Sequence, residues 1–143
     1  MDLKDALQVG FRKGINTAWQ LAKLIIPIYF AVTILKHTPL MPLLARSFAP
    51  LLGLVGLPGE AALALVTGIL INIYAGIAVV MPLIPSVPLG TKQITIIAIM
   101  LLICHNVPVE STVSHKTGAS FWQMTILRLA TAFLAGLLVN FFM

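Results

Sequence analysis

Long apolar runs separated by short, proline-rich or polar punctuation are the dominant pattern of this chain. A membrane-spanning helix needs about 20 mostly apolar residues, and the runs predict spans near 19–35, 60–81, 91–110 and 121–142. The third is apolar only as far as Ile103 and reaches spanning length by continuing past Pro108. Residues 1–18 are too charged to cross. Leu3, Leu7, Phe11, Gly14 and Ala18 recur there at helical spacing, with Asp2 and Asp5 early and Arg12 and Lys13 late, as the helix dipole prefers. That pattern predicts an amphipathic helix lying in the interface. Between 39 and 58, Pro39, Pro42, Pro50 and Pro58, with Gly53 and Gly56, cut the apolar sequence into pieces too short to cross. A re-entrant or broken segment containing Arg46 is expected, because irregular backbone persists at membrane depth only where protein or a water-filled cavity surrounds it.

Composition turns this pattern into a class. Of the 143 residues, 59% are apolar and 9% charged, and the mean hydropathy is +1.04; soluble domains carry charge on about a quarter of their residues. The expected fold class is all-α integral membrane: one small polytopic helical bundle over residues 1–143. The net charge of +5 comes from nine scattered Lys and Arg with no aromatic-interleaved cluster, so the expected partner is the lipid bilayer and not nucleic acid. The single cysteine excludes an internal disulfide, and no phosphate-binding loop is present. Basic residues near the start argue for a cytoplasmic N-terminus. Lys36 and Arg46, Lys92, and Lys116 hardly decide the remaining topology. Four spans leave both termini cytoplasmic; a crossing by the proline-rich region puts the C-terminus outside.

Candidate chemistry gathers in one polar island, Cys104 to Gly118, which holds Glu110, His105, His115 and the sole cysteine. Its punctuation repeats an earlier stretch: Pro58, Glu60, Thr67 and Gly68 match Pro108, Glu110, Thr117 and Gly118 position for position. The expected architecture is therefore two Pro-x-Glu broken or re-entrant helix elements related by an internal repeat. A proline opens the helical hydrogen-bond ladder, and the carboxylate beside it supplies charge, so such an element can hold a cation, a proton or a polar solute. The alternative is structural: Glu60 and Glu110 as helix N-terminal carboxylates neutralised by Arg128, Arg46 or Lys116. Arg128, well inside the last span, needs a partner in either case.

The candidate solute- or ion-binding set is Glu60, Glu110, Pro58, Pro108, Asn72, Tyr74, His105, Asn106, Thr67 and Thr117, with Arg128 as charge partner. Asn72 and Tyr74 would face the Glu60 side of a cavity, with ordinary interhelical hydrogen bonding as the alternative. Cys104, His105 and His115 around Glu110 are chemically able to bind a soft metal, but their spacing fits no strong metal motif and no metal or cofactor is assigned. Ser111, Thr112 and Ser114 form no nucleophile and base set, and no enzyme activity is expected.

The residues GLPGEAALALVTG from Gly56 to Gly68, NIYAG from Asn72 to Gly76, CHNVPVE from Cys104 to Glu110 and KTG from Lys116 to Gly118 resemble the Gate, or nucleoside-recognition, membrane proteins. The family includes spore maturation proteins, and the domain is also found in concentrative nucleoside and ferrous-iron transporters. The resemblance covers the chain from about Trp19 and is most specific at His-Asn-x-Pro-x-Glu. It implies a bacterial or archaeal inner membrane and paired gates around a central site. Small size suggests a homodimer, or a hetero-oligomer with a paralogous Gate protein. The expected function is a subunit of a transporter or channel for a small polar solute or cation. The alternative is a non-transporting assembly or scaffold protein whose buried polar elements set oligomer contacts.

Overall fold

The computed structural model describes residues 3–143, all of whose regular elements are α-helices: α1 (Leu3–Leu35), α2 (Leu40–Leu54), α3 (Ala61–Leu70), α4 (Ile73–Leu83), α5 (Thr91–Ile103), α6 (Val107–Lys116) and α7 (Phe121–Phe142). Three helical stretches are long and apolar enough to cross a membrane: Leu3–Leu35, Thr91–Lys116 and Phe121–Phe142. The second comprises α5 and α6 with an interruption at 104–106.

The first correction concerns α1. An interfacial helix over 1–18 and a separate span at 19–35 are expected from the change in charge, yet 33 residues form one unbroken helix. Nothing between them stops a helix, and Pro27 lies within it. At about 1.5 Å per residue it reaches roughly 50 Å, well beyond a core of about 30 Å. Asp2 lies outside the described residues; Asp5 occupies the first turn. The prolines at 42 and 50 likewise fail to divide α2, a continuous 15-residue helix, although it remains shorter than a span.

The second correction is larger. Residues 60–81 do not form one crossing. α3 ends at Leu70, Asn72 is fully extended, and Asn72 Oδ1 accepts the N–H of Ala75 at 2.9 Å to start α4, as an N-cap asparagine does. The two arms fold back on each other. A Cβ on Gly76 would lie 3.1 Å from Gly68 Cα and 3.2 Å from the Ala64 carbonyl oxygen, a close approach that the absence of a side chain favours. Gly68 and Gly76, expected to form one face of a single helix, instead meet each other. Leu101 of α5 packs against both. Each arm is about 15 to 17 Å long, roughly half the membrane core.

α7 runs antiparallel along the whole interrupted span. Thr125 donates to Ser111 Oγ at 2.9 Å, Arg128 pairs with Glu110, Gly136 packs on Met100, and Lys92 Nζ donates to the Asn140 carbonyl at 2.8 Å. The α2–α3 connection joins the same end, where Asn140 Nδ2 donates to the Leu54 carbonyl at 3.2 Å. α3 therefore enters from the Lys92 end and α4 returns to it, making a re-entrant hairpin. Lys36, just beyond α1, donates to the Pro82 carbonyl near the end of α4 at 2.7 Å. Lys36 and Lys92 thus each place a cation on the exposed carbonyls of a helix C-terminus, where the dipole favours it. Among the described residues, three helical stretches of spanning length and one hairpin stand where four spans are expected.

The hairpin contact is testable. Gly76→Val should lower stability by about 1–3 kcal/mol through overpacking against backbone. Gly10→Ala, in α1 with nothing within 4 Å, should be neutral or stabilising by up to about 1 kcal/mol. Thermal unfolding in detergent reads both.

Candidate functional site

The interruption between α5 and α6 builds the site. Asn106 adopts the left-handed conformation, φ 48° and ψ 39°, which asparagine tolerates better than most side chains. Pro108 sits in the first turn of α6, where its missing N–H is no loss. The helix therefore stops and restarts, and the N–H of Glu110 resumes the ladder on the Asn106 carbonyl at 3.1 Å. The N–H of Asn106 leaves its own segment and donates to the Gly68 carbonyl at 3.0 Å. The tip region of the re-entrant hairpin is thereby tied to the break in the crossing helix.

Glu110 lies in the first turn of α6, where the helix dipole favours a carboxylate. Arg128 of α7 contacts one of its oxygens, and His105 Nε2 lies 3.4 Å from the other. The other ring nitrogen of His105 is 3.1 Å from the Leu101 carbonyl. Both ring nitrogens thus lie beside oxygen atoms, the Leu101 carbonyl on one side and the Glu110 carboxylate on the other. The three side chains are 31%, 32% and 29% exposed for His105, Glu110 and Arg128. Beside them Ser111, fully buried, accepts from Thr125 and pins α6 to α7.

A family model described as Gate, nucleoside recognition, matches residues 18–119. The chain belongs to this Gate family. It is also 40% identical over 138 residues to the uncharacterized membrane protein YvoD of Bacillus subtilis (strain 168), a match covering 96% of this chain and 43% of that protein. The chain thus spans less than half the length of this relative. No solved structure matches.

Within the Gate match, the other expected site residues fall in different places. Glu60 directly precedes α3, is half-buried, and makes no side-chain hydrogen bond or ion pair among the described residues. Arg46 is exposed on α2 and does not neutralise it. Gly68, tied to Asn106, is eight residues further along α3, or about 12 Å by helical rise; no hydrogen bond or ion pair joins Glu60 to Glu110. Pro58 lies in the α2–α3 connection, and its carbonyl accepts the Ala61 N–H. Gly59 next to it presses on the Ala45 carbonyl. The two Pro-x-Glu stretches thus share a place at the start of a ten-residue helix but differ in surroundings.

Thr67 and Thr117 spend their hydroxyls on carbonyls of their own helical turns, Leu63 and Ser114. Asn72 is occupied as the cap of α4, and Tyr74 is exposed. His115 bonds the Ala119 carbonyl at the far end of α6 from His105, and among the described residues no group of three or more His, Cys, Asp or Glu is placed to hold a metal. A cavity of about 380 Å³ between α2, α3, α5 and α7 is lined by apolar side chains and Cys104. Neither Glu60 nor Glu110 lines it. Thr125, absent from the expected set, is brought into the site by its hydrogen bond to Ser111; its signal in the sequence is only that it lies one turn before Arg128 on the same helix.

The Glu110 and Arg128 pair should behave as a unit. Arg128→Met, which strands a carboxylate at membrane depth, should cost about 3 kcal/mol. The double variant Arg128→Met with Glu110→Leu should recover most of that loss. A double-mutant cycle on thermal stability checks the coupling.

Proposed function

We propose that this Gate chain is a subunit of a small transporter or channel of the bacterial inner membrane, moving a polar solute or cation, with Glu110 as its binding carboxylate. The observation that carries the reading is the His105, Glu110 and Arg128 group at a helix break into which a re-entrant hairpin docks. Ionisable groups at membrane depth are costly and line solute or proton pathways. Discontinuous helices with freed backbone groups form the central sites of many transporters.

In this reading Arg128 holds Glu110 while the site is empty, and an arriving cation or hydrogen-bonding solute competes for the carboxylate. His105 supplies or accepts a proton as that exchange occurs. Asn106 and the Gly68 carbonyl form the hinge between hairpin and broken helix. Glu60, eight residues before Gly68, would act at the entrance near the Lys92 end. The family description makes nucleosides the first solutes to try, beside simple cations.

A second reading has its own support: Glu110 is already paired with Arg128, as in a structural contact. In that case the chain is an assembly protein whose polar residues set oligomer contacts.

Purified protein in liposomes separates the two. Glu110→Gln should reduce solute-driven flux by about tenfold or more, the effect of losing one charged contact worth about 1.4 kcal/mol, while the oligomer stays intact in detergent. Unchanged flux for every solute, together with dissociation of the oligomer, would establish the assembly reading instead.

A further inference from the structure

The cavity between α2, α3, α5 and α7, of about 380 Å³, takes no part in the proposed function. An apolar cavity of about 150 Å³ accepts benzene, and small-molecule sites begin near about 300 Å³. The space therefore suits an apolar body of about two fused aromatic rings. Its walls are aliphatic and aromatic, and among the described residues its only side-chain heteroatoms are the sulfurs of Met100 and Cys104. Hydroxyl or charged groups of a ligand would find no partners against such a lining, which opposes their entry. A ribose does not fit on that ground.

One end of the cavity adjoins the charged group. Cys104 and Leu129 line it, and their neighbours along the chain are His105 and Arg128. Arg128 also precedes the wall residue Ala132 by one turn of α7, and its charge reaches the Cys104 thiol. The two members of the ion pair are not equally occupied. Glu110 has Arg128 at one oxygen and His105 3.4 Å from the other. Arg128 carries several N–H donors in a fixed fork, keeps 29% of its side chain exposed, and makes no further hydrogen bond among the described residues. What the group still offers is a donor, so the matching ligand atom is an acceptor. The pair itself decides the charge of that atom. Glu110 and Arg128 cancel, so an added anion would face Glu110 and an added cation would face Arg128. An uncharged oxygen avoids both.

We infer that the cavity binds an uncharged amphiphile, with its apolar body against Phe48, Met100 and Phe133 and a carbonyl-type acceptor on Arg128 beside Cys104. The inference goes beyond the proposed transport and does not need it, because binding requires no movement of the ligand and Glu110 keeps its partner.

The sole cysteine reports occupancy directly. Purified protein in detergent is alkylated with N-ethylmaleimide in the presence of probes that share a naphthalene body: acetonaphthone with a neutral carbonyl, ethylnaphthalene with no acceptor, and naphthaleneacetate and naphthalenemethylamine with opposite charges. Acetonaphthone should slow the Cys104 reaction and raise the unfolding temperature at concentrations about tenfold below those the others need, the effect of one hydrogen bond to a charged donor. Adenosine should do neither. The double variant Arg128→Met with Glu110→Leu should bind acetonaphthone and ethylnaphthalene alike; a preference that survives in it overturns the inference. Equal effects of all the naphthalene probes on the unaltered chain, a preference for either charged probe, protection by adenosine, or no effect of any probe also overturns it. If Cys104 resists alkylation even without a probe, or the double variant fails to fold, the thermal shifts of the unaltered chain decide. Slower alkylation in phospholipid nanodiscs than in detergent, with no probe active in either, identifies a lipid chain as the occupant instead. Binding of acetonaphthone without flux of any solute leaves this inference standing and removes the transport reading; cation flux with no probe bound does the reverse.

Discussion

Backbone polar groups at membrane depth must find partners inside the protein, and this fold depends on how two helix interruptions meet that demand together. A helix end leaves several N–H or C=O groups without intrahelical partners. Here one interruption lies at the hairpin tip around Ile71 and Asn72, and the other at Cys104 to Asn106. Each is partly satisfied locally, by Asn72 capping α4 and by Pro108 removing one donor. The remaining link runs between them, from the Asn106 N–H to the Gly68 carbonyl. Gly68, Gly76 and Leu101 pack around that link closely enough to exclude larger side chains. The hairpin and the broken span are therefore a single structural unit, and neither break is satisfied without the other.

The charges obey the same constraint. Three of the ionisable groups inside the bundle converge where the backbone is already open, so the desolvation of Glu110 is offset by Arg128, by His105 and by the start of α6 at once. The lysines that contact helix ends do different work. Lys36 and Lys92 reach carbonyls near the C-termini of α4 and α7, which ties those helix ends together at one end of the bundle. These two lysines thus sit at one end of the bundle, and the mixed-charge group lies deeper along α7.

Much of this was legible in residue pattern, and the failures have physical causes. The last helix matches its apolar run because nothing inside Phe121–Phe142 interrupts it. Arg128 announced its need for a partner, and the chain offers few carboxylates. The hairpin was hidden because Gly68, Asn72 and Gly76 at steps of four suit a single helix as well as a fold-back; only the capping role of Asn72 between two half-length apolar stretches distinguishes them. In α1 the change of charge suggests a change of element, but charge alone does not end a helix, and Leu3–Leu35 is continuous. The offset of fifty residues between the Pro-x-Glu stretches is a property of sequence that tertiary packing treats unequally, since one carboxylate meets an arginine on α7 and the other meets none among the described residues.

That inequality sharpens the chemistry assigned to each. Glu110 has a counter-charge in Arg128, which in the proposed transport reading a cation or polar solute would have to displace or share. Glu60 has no such competitor among the described residues, which in the same proposal suits it to first contact. His105, between the Leu101 carbonyl and Glu110, has more acceptors than a neutral ring has protons. Moving Glu110 away from His105 would leave Nε2 without this neighbour. Through the Asn106 to Gly68 bond, the same movement bears on the hairpin. In the proposed transport reading, displacement of the charge on Glu110 and motion of the hairpin tied to Asn106 are linked across the helix break.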